Sequence, residues 1–321
     1  MRQTDNGLKK GLGSCRGFKP RSDKDEKEME NFVDDFNFAD VQRYVMFISF
    51  PRAGHSWIGS VLDDAPNVLV ANEYGTINRF LIGKMKKYLM TKDSLFKGLA
   101  KNSFLCGKYG RIQVYDYSIP GLWQGKLDDG QKMDVIGDKK GGNVGKVLSS
   151  FGKPWEDESA AEALRKFMLE FRDVVKVPLR VVIVLRNPFN LIATAHFRTR
   201  ENNFKVEKRI GSSFVKEVLN RYRVEIWASE NLFQPNEVHT MTMESFATDT
   251  ETELKLLCEF VDIECPSNTM QKVNNQTHNT PHTTYELVEW KDEQVKEIND
   301  FIVTHLSECG YRPIIMEFDQ K

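Results

Sequence analysis

Cysteine is sparse and scattered in this chain: Cys15, Cys106, Cys258, Cys265 and Cys309 are odd in number and form no CxxC pair. The pattern argues against a disulfide-built scaffold or a zinc knuckle and sets the expectation of reduced thiols, each a small buried apolar residue. Long apolar runs are missing too. None approaches the roughly 20 residues that cross a bilayer, and residues 1–32 lack the apolar centre of a secretion signal. A soluble, cytoplasmic protein with no membrane partner is therefore expected. Neither charge dominates: Lys plus Arg number 45 and Asp plus Glu 46, a formal net charge of -1, which argues against a surface made to coat nucleic acid. Metal-ligand spacing is absent as well, since no HExxH occurs and His278 and His282 span Pro281, so no metal is expected. Asn275-Gln276-Thr277 is a glycosylation sequon, expected to stay unused without a secretion route.

What is present is ordinary globular material, long enough at 321 residues and 40% hydrophobic to bury a large core. Residues 1–40 are polar, with no apolar period before Phe32, Phe36 and Phe38, and read as a flexible tail. The Gly11, Gly13 and Gly17 cluster inside it has neither a strand before it nor a helix after it, which argues against a nucleotide loop. Residues 41–321 read as one domain. Apolar, β-favouring runs place strands at 44–50, 67–74, 133–137, 179–185 and 238–243. Helical periods fall at 55–64, 159–175, 188–200, 213–232, 250–261 and 285–307. Alternating strands and helices predict a three-layer α/β fold with a mostly parallel central sheet flanked by helices. Residues 76–132 carry no clean period and read as an insertion of helices and loops over one sheet edge.

In an open parallel sheet, ligands sit outside the carboxyl ends of the strands. Two segments fall there. Ser49-Phe50-Pro51-Arg52-Ala53-Gly54-His55-Ser56-Trp57 follows the first strand: Gly54 permits close backbone approach, the helix start offers free N–H groups, and Arg52 adds a charge with fork geometry. It is a plausible oxyanion cradle or an ordinary strand-to-helix turn. GxxxxGK[ST] is absent, which weighs against a magnesium-dependent kinase or ATPase. The second segment, VVIVLRNPFNLIATAHFR, is a buried strand ending in Arg186 and Asn187, with Pro188 at a good first helical position and Thr194 a little under two turns further on. Arg186 and Thr194 could grip a second phosphate, or merely close the strand and fill space.

In this order and separation, the two segments resemble the motifs of the sulfotransferases that use 3′-phosphoadenosine 5′-phosphosulfate (PAPS) and release adenosine 3′,5′-bisphosphate (PAP). Pro51-Arg52-Ala53-Gly54-His55-Ser56 is similar to the family's first loop, and Arg186-Asn187-Pro188 with Thr194 to its second. MTMESFATDTETELKLLCEFVDIECP is similar to the family's later strand, Glu-containing turn and helix, so the likeness runs from about Tyr44 to Pro266. The resemblance implies a P-loop-like fold and a sulfonate-transferring enzyme with PAPS as donor and a small-molecule or glycan acceptor. It implies further that Arg52, Ala53, Gly54, His55, Ser56 and Trp57 surround the phosphosulfate end while Arg186 and Thr194 hold the 3′-phosphate. Arg52 stands where soluble members have Lys, and His55 where Thr is common. No Arg-Lys-Gly loop is found near the C-terminus; Lys272, Asn274 and Asn275 are weak substitutes.

A transferase of this kind needs a base for the acceptor and cations for the leaving phosphate. Glu73, just after the second strand, resembles the base of the tyrosylprotein and heparan-type members, and Asp138 in VIGDKKGG is the other carboxylate in range. Lys139 is the candidate for steadying the transferring sulfonate, with Arg52 and His55 completing the catalytic set. Lys140 reads as part of a charged surface loop. The alternatives are a P-loop phosphotransferase and a nucleotide-binding protein without catalysis.

Overall fold

The computed structural model describes residues 19–85, 90–110, 132–199, 207–265 and 283–315. Its centre is a five-stranded, all-parallel sheet built from β1 (Arg43–Ile48), β2 (Val68–Asn72), β3 (Val135–Lys139), β4 (Leu179–Leu185) and β5 (Val238–Thr242), in the order β2-β3-β1-β4-β5. Strands 1 to 4 are buried almost along their whole length, as expected where helices cover both faces and residues of either parity lose their water. The expected three-layer α/β architecture is the one observed.

In chain order the α-helices among the described residues are α1 (Asp23–Asp34), α2 (His55–Leu62), α3 (Thr76–Met85), α4 (Lys92–Tyr109), α5 (Gly141–Ser149), α6 (Glu158–Val175), α7 (Pro188–Thr199), α8 (Ser212–Asn231), α9 (Met243–Thr248), α10 (Thr250–Val261) and α11 (Asp292–His305). Tyr44 of β1 sends its ring between Phe96 of α4 and Phe171 of α6, with centroids at 6.4 and 5.8 Å, which fixes those helices on its face of the sheet. Phe80 of α3 joins the same aromatic layer through Phe167 and Phe171. Such rings carry much of the buried area that offsets chain entropy. Among the described residues no helix is long and apolar enough to cross a membrane.

Four expectations change. The polar stretch through residue 40 is not all tail: α1 is capped by Ser22, buries Met29 and Val33, and packs Phe32 on Phe104 of α4 at 5.2 Å. Lys108 and Tyr109 of α4 clamp its Asp25, so ion pairs supplement a weak apolar stripe. Residues 1–18, with Cys15 and the glycine cluster, lie outside the described residues. The third strand runs to Lys139, two residues beyond the expected end, because Asp138 and Lys139 stay in register with Ala71 and Asn72 of β2. The helix expected from 285 is a 3₁₀ turn, Thr284–Leu287, separated from α11 by an extended step in which Glu289 bridges Arg209. Within the expected insertion, α3 and α4 are regular helices.

The fourth change concerns redox chemistry. Cys258 and Cys265 form a disulfide across the C-terminus of α10, with Cα atoms 5.5 Å apart, where reduced thiols were expected. They stand seven positions apart in sequence, and the left-handed Asp262 turns the chain back to make the approach. The bond removes the argument from cysteine usage for a reducing compartment. Closing so short a loop restrains the unfolded chain by roughly 2 kcal/mol. Peptide mapping without reductant is expected to recover residues 258 and 265 in one linked fragment, and reduction is expected to lower the urea midpoint; two free thiols in the untreated protein would contradict the pairing.

Candidate functional site

The strand order creates the site. The connection after β1 runs toward β2 at one edge and that after β4 leads to β5 at the other, so the carboxyl ends of β1 and β4 flank the switch point, the crevice position at which open parallel sheets take ligands. Both sequence motifs follow these two strands.

After β1 the chain turns through Arg52 at φ 84 and Gly54 at φ 97 before α2 begins at His55. Gly54 is required there twice over: its backbone is left-handed, and a Cβ would stand 2.1 Å from the Met243 sulfur. The turn is closed by the Ala53 N–H to the Phe50 carbonyl at 3.1 Å and the Trp57 N–H to the Gly54 carbonyl at 2.9 Å. Gly54, at the N-cap of α2, has no side chain to cap the first-turn N–H groups, which with the helix dipole lie at the carboxyl end of β1. Around them lie buried polar atoms without hydrogen-bond partners among the described residues: His55 Nδ1 and Trp57 Nε1. Such orphans are costly unless a ligand or water meets them. His55 is only 5% exposed, and burial, with Lys139, Lys140 and Arg52 nearby, pushes its pKa well down, which leaves a neutral imidazole at the loop.

After β4, Asn187 accepts the Phe189 N–H at 3.0 Å and so starts α7, with Pro188 in its first turn. Arg186 reaches across the crevice and donates from Nη1 to the Arg52 carbonyl at 2.9 Å, which joins the two motifs directly. Thr194 Oγ1 is buried and has no partner among the described residues. Lys272, Asn274 and Asn275 lie outside the described residues.

The third group comes from the β2 and β3 ends. Because Asn72 pairs with Lys139 in the ladder, the residue after Asn72 falls beside Lys139. Glu73, left-handed at φ 63 and 6% exposed, receives Lys139 Nζ at 2.7 Å on one carboxylate oxygen and Lys140 Nζ on the other. Lys139 has no exposed surface and also donates to Ser56 Oγ at 2.9 Å, so it ties Glu73 to the first turn of α2. Lys140, expected in a charged loop, is thus paired with Glu73. Asp138 points to the opposite face, as strand alternation requires, and accepts the N–H groups of Tyr74, Gly75 and Thr76 at 3.1, 2.8 and 2.7 Å. Burial raises its pKa against the Thr76 and Gly75 bonds and the charge of Lys139. Asp138 caps α3 and Glu73 faces the loop, which separates the two carboxylates that sequence alone left open.

Sequence reasoning missed three supports. Tyr222 of α8 accepts the Arg186 N–H and donates to its carbonyl, each at 3.0 Å. Glu244 accepts the Asn187 N–H at 3.0 Å, and Tyr311 donates to the same carboxylate at 2.6 Å. Only Glu244 had a signal, the Glu-containing turn after the last strand.

The sequence matches no protein-family model and no curated protein. Among solved structures the chain is similar to the sulfotransferase STF9 from Mycobacterium avium, with a TM-score of 0.45 and 12% identity over 91% of this chain and 83% of that one. A sulfotransferase from Alicyclobacillus acidocaldarius gives 0.41 and 14% over 84% and 96%. The mouse sulfotransferase SULT7A1, complexed with PAP, gives 0.39 and 10% over 88% and 91%.

His55 makes the site sensitive to acid. Unfolded, it titrates near 6.5; folded, it stays neutral to a lower pH, so between the two the unfolded chain binds more protons and stability falls as pH drops below about 6.5. His239 and His305, also pushed down by burial, act with the same sign. In urea unfolding at pH 7.5 and 5.5, His55→Asn is expected to lose less stability on acidification than the parent protein. An equal loss in both would contradict a buried neutral His55.

Proposed function

We propose that the protein is a PAPS-dependent sulfotransferase in which Glu73 is the base for a hydroxyl or amine acceptor. The observation that carries this reading is the convergence of three elements on one crevice: an uncapped helix start behind Gly54, an arginine at the end of β4, and a buried carboxylate held by two lysines.

The residues present fit the donor's two anionic ends. The uncapped N–H groups of α2, the unpartnered His55 Nδ1 and Trp57 Nε1, Ser56 and the Arg52 side chain suit the phosphosulfate end. Arg186 and the unpartnered Thr194 Oγ1 suit the 3′-phosphate. The donor, when bound, supplies an activated sulfonate on a phosphate leaving group. Arg52 and the helix N–H groups neutralise charge on that phosphate, and neutral His55 offers a hydrogen bond without carrying a proton away. Glu73 takes the acceptor's proton onto a carboxylate oxygen.

In this proposal Lys139, whose ammonium is engaged by Glu73 and Ser56, positions base and loop, and Lys140, 15% exposed, is the lysine able to leave Glu73 for an incoming anionic group. Departure of Lys140 opens one Glu73 oxygen to the acceptor as it arrives. The acceptor, a small molecule or a glycan, belongs to the same proposal.

Glu73→Gln keeps an oxygen for Lys139 and removes the base. With PAPS and a panel of phenols, alcohols, amines and sugars, turnover is expected to fall by about 10²–10⁴ while affinity for PAP stays nearly intact. Full activity in the variant would eliminate Glu73 as base. Magnesium-dependent ATP turnover in the parent protein would point to phosphotransfer instead.

A further inference from the structure

We propose that Arg186 is a positioning residue for the first loop as well as a ligand for the distant phosphate, so that the two anion sites are mechanically coupled before any ligand binds. The ligand half of this inference rests on the nucleotide reading above; the mechanical half does not.

The coupling centres on one peptide plane. Arg52 adopts φ 84, which a residue with a side chain takes only when its surroundings over-determine it. The peptide linking Arg52 to Ala53 is held at both ends: its oxygen accepts Arg186 Nη1 at 2.9 Å, and its N–H donates to the Phe50 carbonyl at 3.1 Å. Gly54 follows at once and sets the direction of the α2 N–H groups. Without Arg186 the oxygen loses a charged donor, Arg52 is free to relax toward negative φ, and the loop amides turn from their common focus.

Arg186 is itself fixed. The Tyr222 hydroxyl bonds both its N–H and its carbonyl, and the next residue is held by Glu244, whose other oxygen is bonded by Tyr311. Met243, adjacent to Glu244, closes over Gly54. The β5 turn thus braces the β1 loop and the β4 end at once. A guanidinium suits this double duty because its five donors point in several directions.

Two measurements test it. In the ligand-free protein, Arg186→Ala is expected to speed amide hydrogen exchange at Ala53 and Trp57 about tenfold, the loss of one charge-assisted hydrogen bond, while β2 and α10 keep their parent rates. Tyr222→Phe, which keeps the guanidinium but frees its backbone, is expected to give a smaller change of the same sign. Should the alanine variant fail to fold, Arg186→Lys serves in its place, with intermediate exchange. In the second measurement, calorimetric affinity for adenosine 5′-phosphosulfate, which has no 3′-phosphate, is expected to fall about tenfold in Arg186→Ala, and affinity for PAP to fall further. Parent-like exchange at Ala53 and Trp57 with parent-like affinity for adenosine 5′-phosphosulfate would overturn the proposal and leave Arg186 a 3′-phosphate ligand alone. If the parent protein binds neither nucleotide, the nucleotide reading fails, and the exchange experiment still decides the positioning role.

Discussion

Lys139 has no surface in contact with water, and a buried ammonium is tolerated only with partners of good geometry. It has them in Glu73, at 2.7 Å, and Ser56, at 2.9 Å, and much of the site's arrangement follows from meeting that requirement. The ladder must bring Asn72 level with Lys139 so that Glu73 falls within reach, and α2 must lie close enough for its first turn to accept the second bond. Gly59, the one-turn neighbour of His55 and Ser56, permits this: a Cβ there would stand 2.5 Å from the Lys139 side chain. Strand alternation then turns Asp138 to the opposite face, where it caps α3. One register thus assigns two neighbouring charged residues to two tasks.

The same economy governs the other lip of the crevice. Neither loop is held by its own residues alone. Arg186 spans the gap to the Arg52 carbonyl, Tyr222 holds Arg186 by its backbone, and the turn after β5 touches both loops through Met243 and Glu244. A site for a ligand with two anionic ends gains from such bracing, since the distance between the ends is fixed before binding and less ordering is left to be done.

Much of this was legible in the sequence, and the reason is physical. Parallel strands buried on both faces appear as apolar runs, so LRVVIVL marks β4 from Leu179 to Leu185 and TETELKLLCEFV marks α10 from Thr250 to Val261, each to the residue. Glycine and proline at Gly54 and Pro188 flag the two loops because backbone geometry leaves few other choices. What escaped was long-range pairing. Asp138 and Lys139 look like the polar end of a strand until the β2 ladder extends through them. Lys140 looks like surface until Glu73 is placed opposite. Tyr222 and Tyr311 carry no local mark of the bonds they make 36 and 67 residues away. The Cys258–Cys265 bond depends on the left-handed turn at Asp262, which residue spacing alone does not announce.

The proposed function requires that the carboxyl ends of β1 and β4 bind a nucleotide carrying both a 3′ and a 5′ anionic group. Thermal unfolding with PAP, set beside ATP plus magnesium at equal concentration, tests it most directly. At about 100 times its dissociation constant a specific ligand adds roughly 2.7 kcal/mol, so PAP alone should raise the midpoint by several degrees. A midpoint that moves only with ATP and magnesium, and not with PAP, would contradict it.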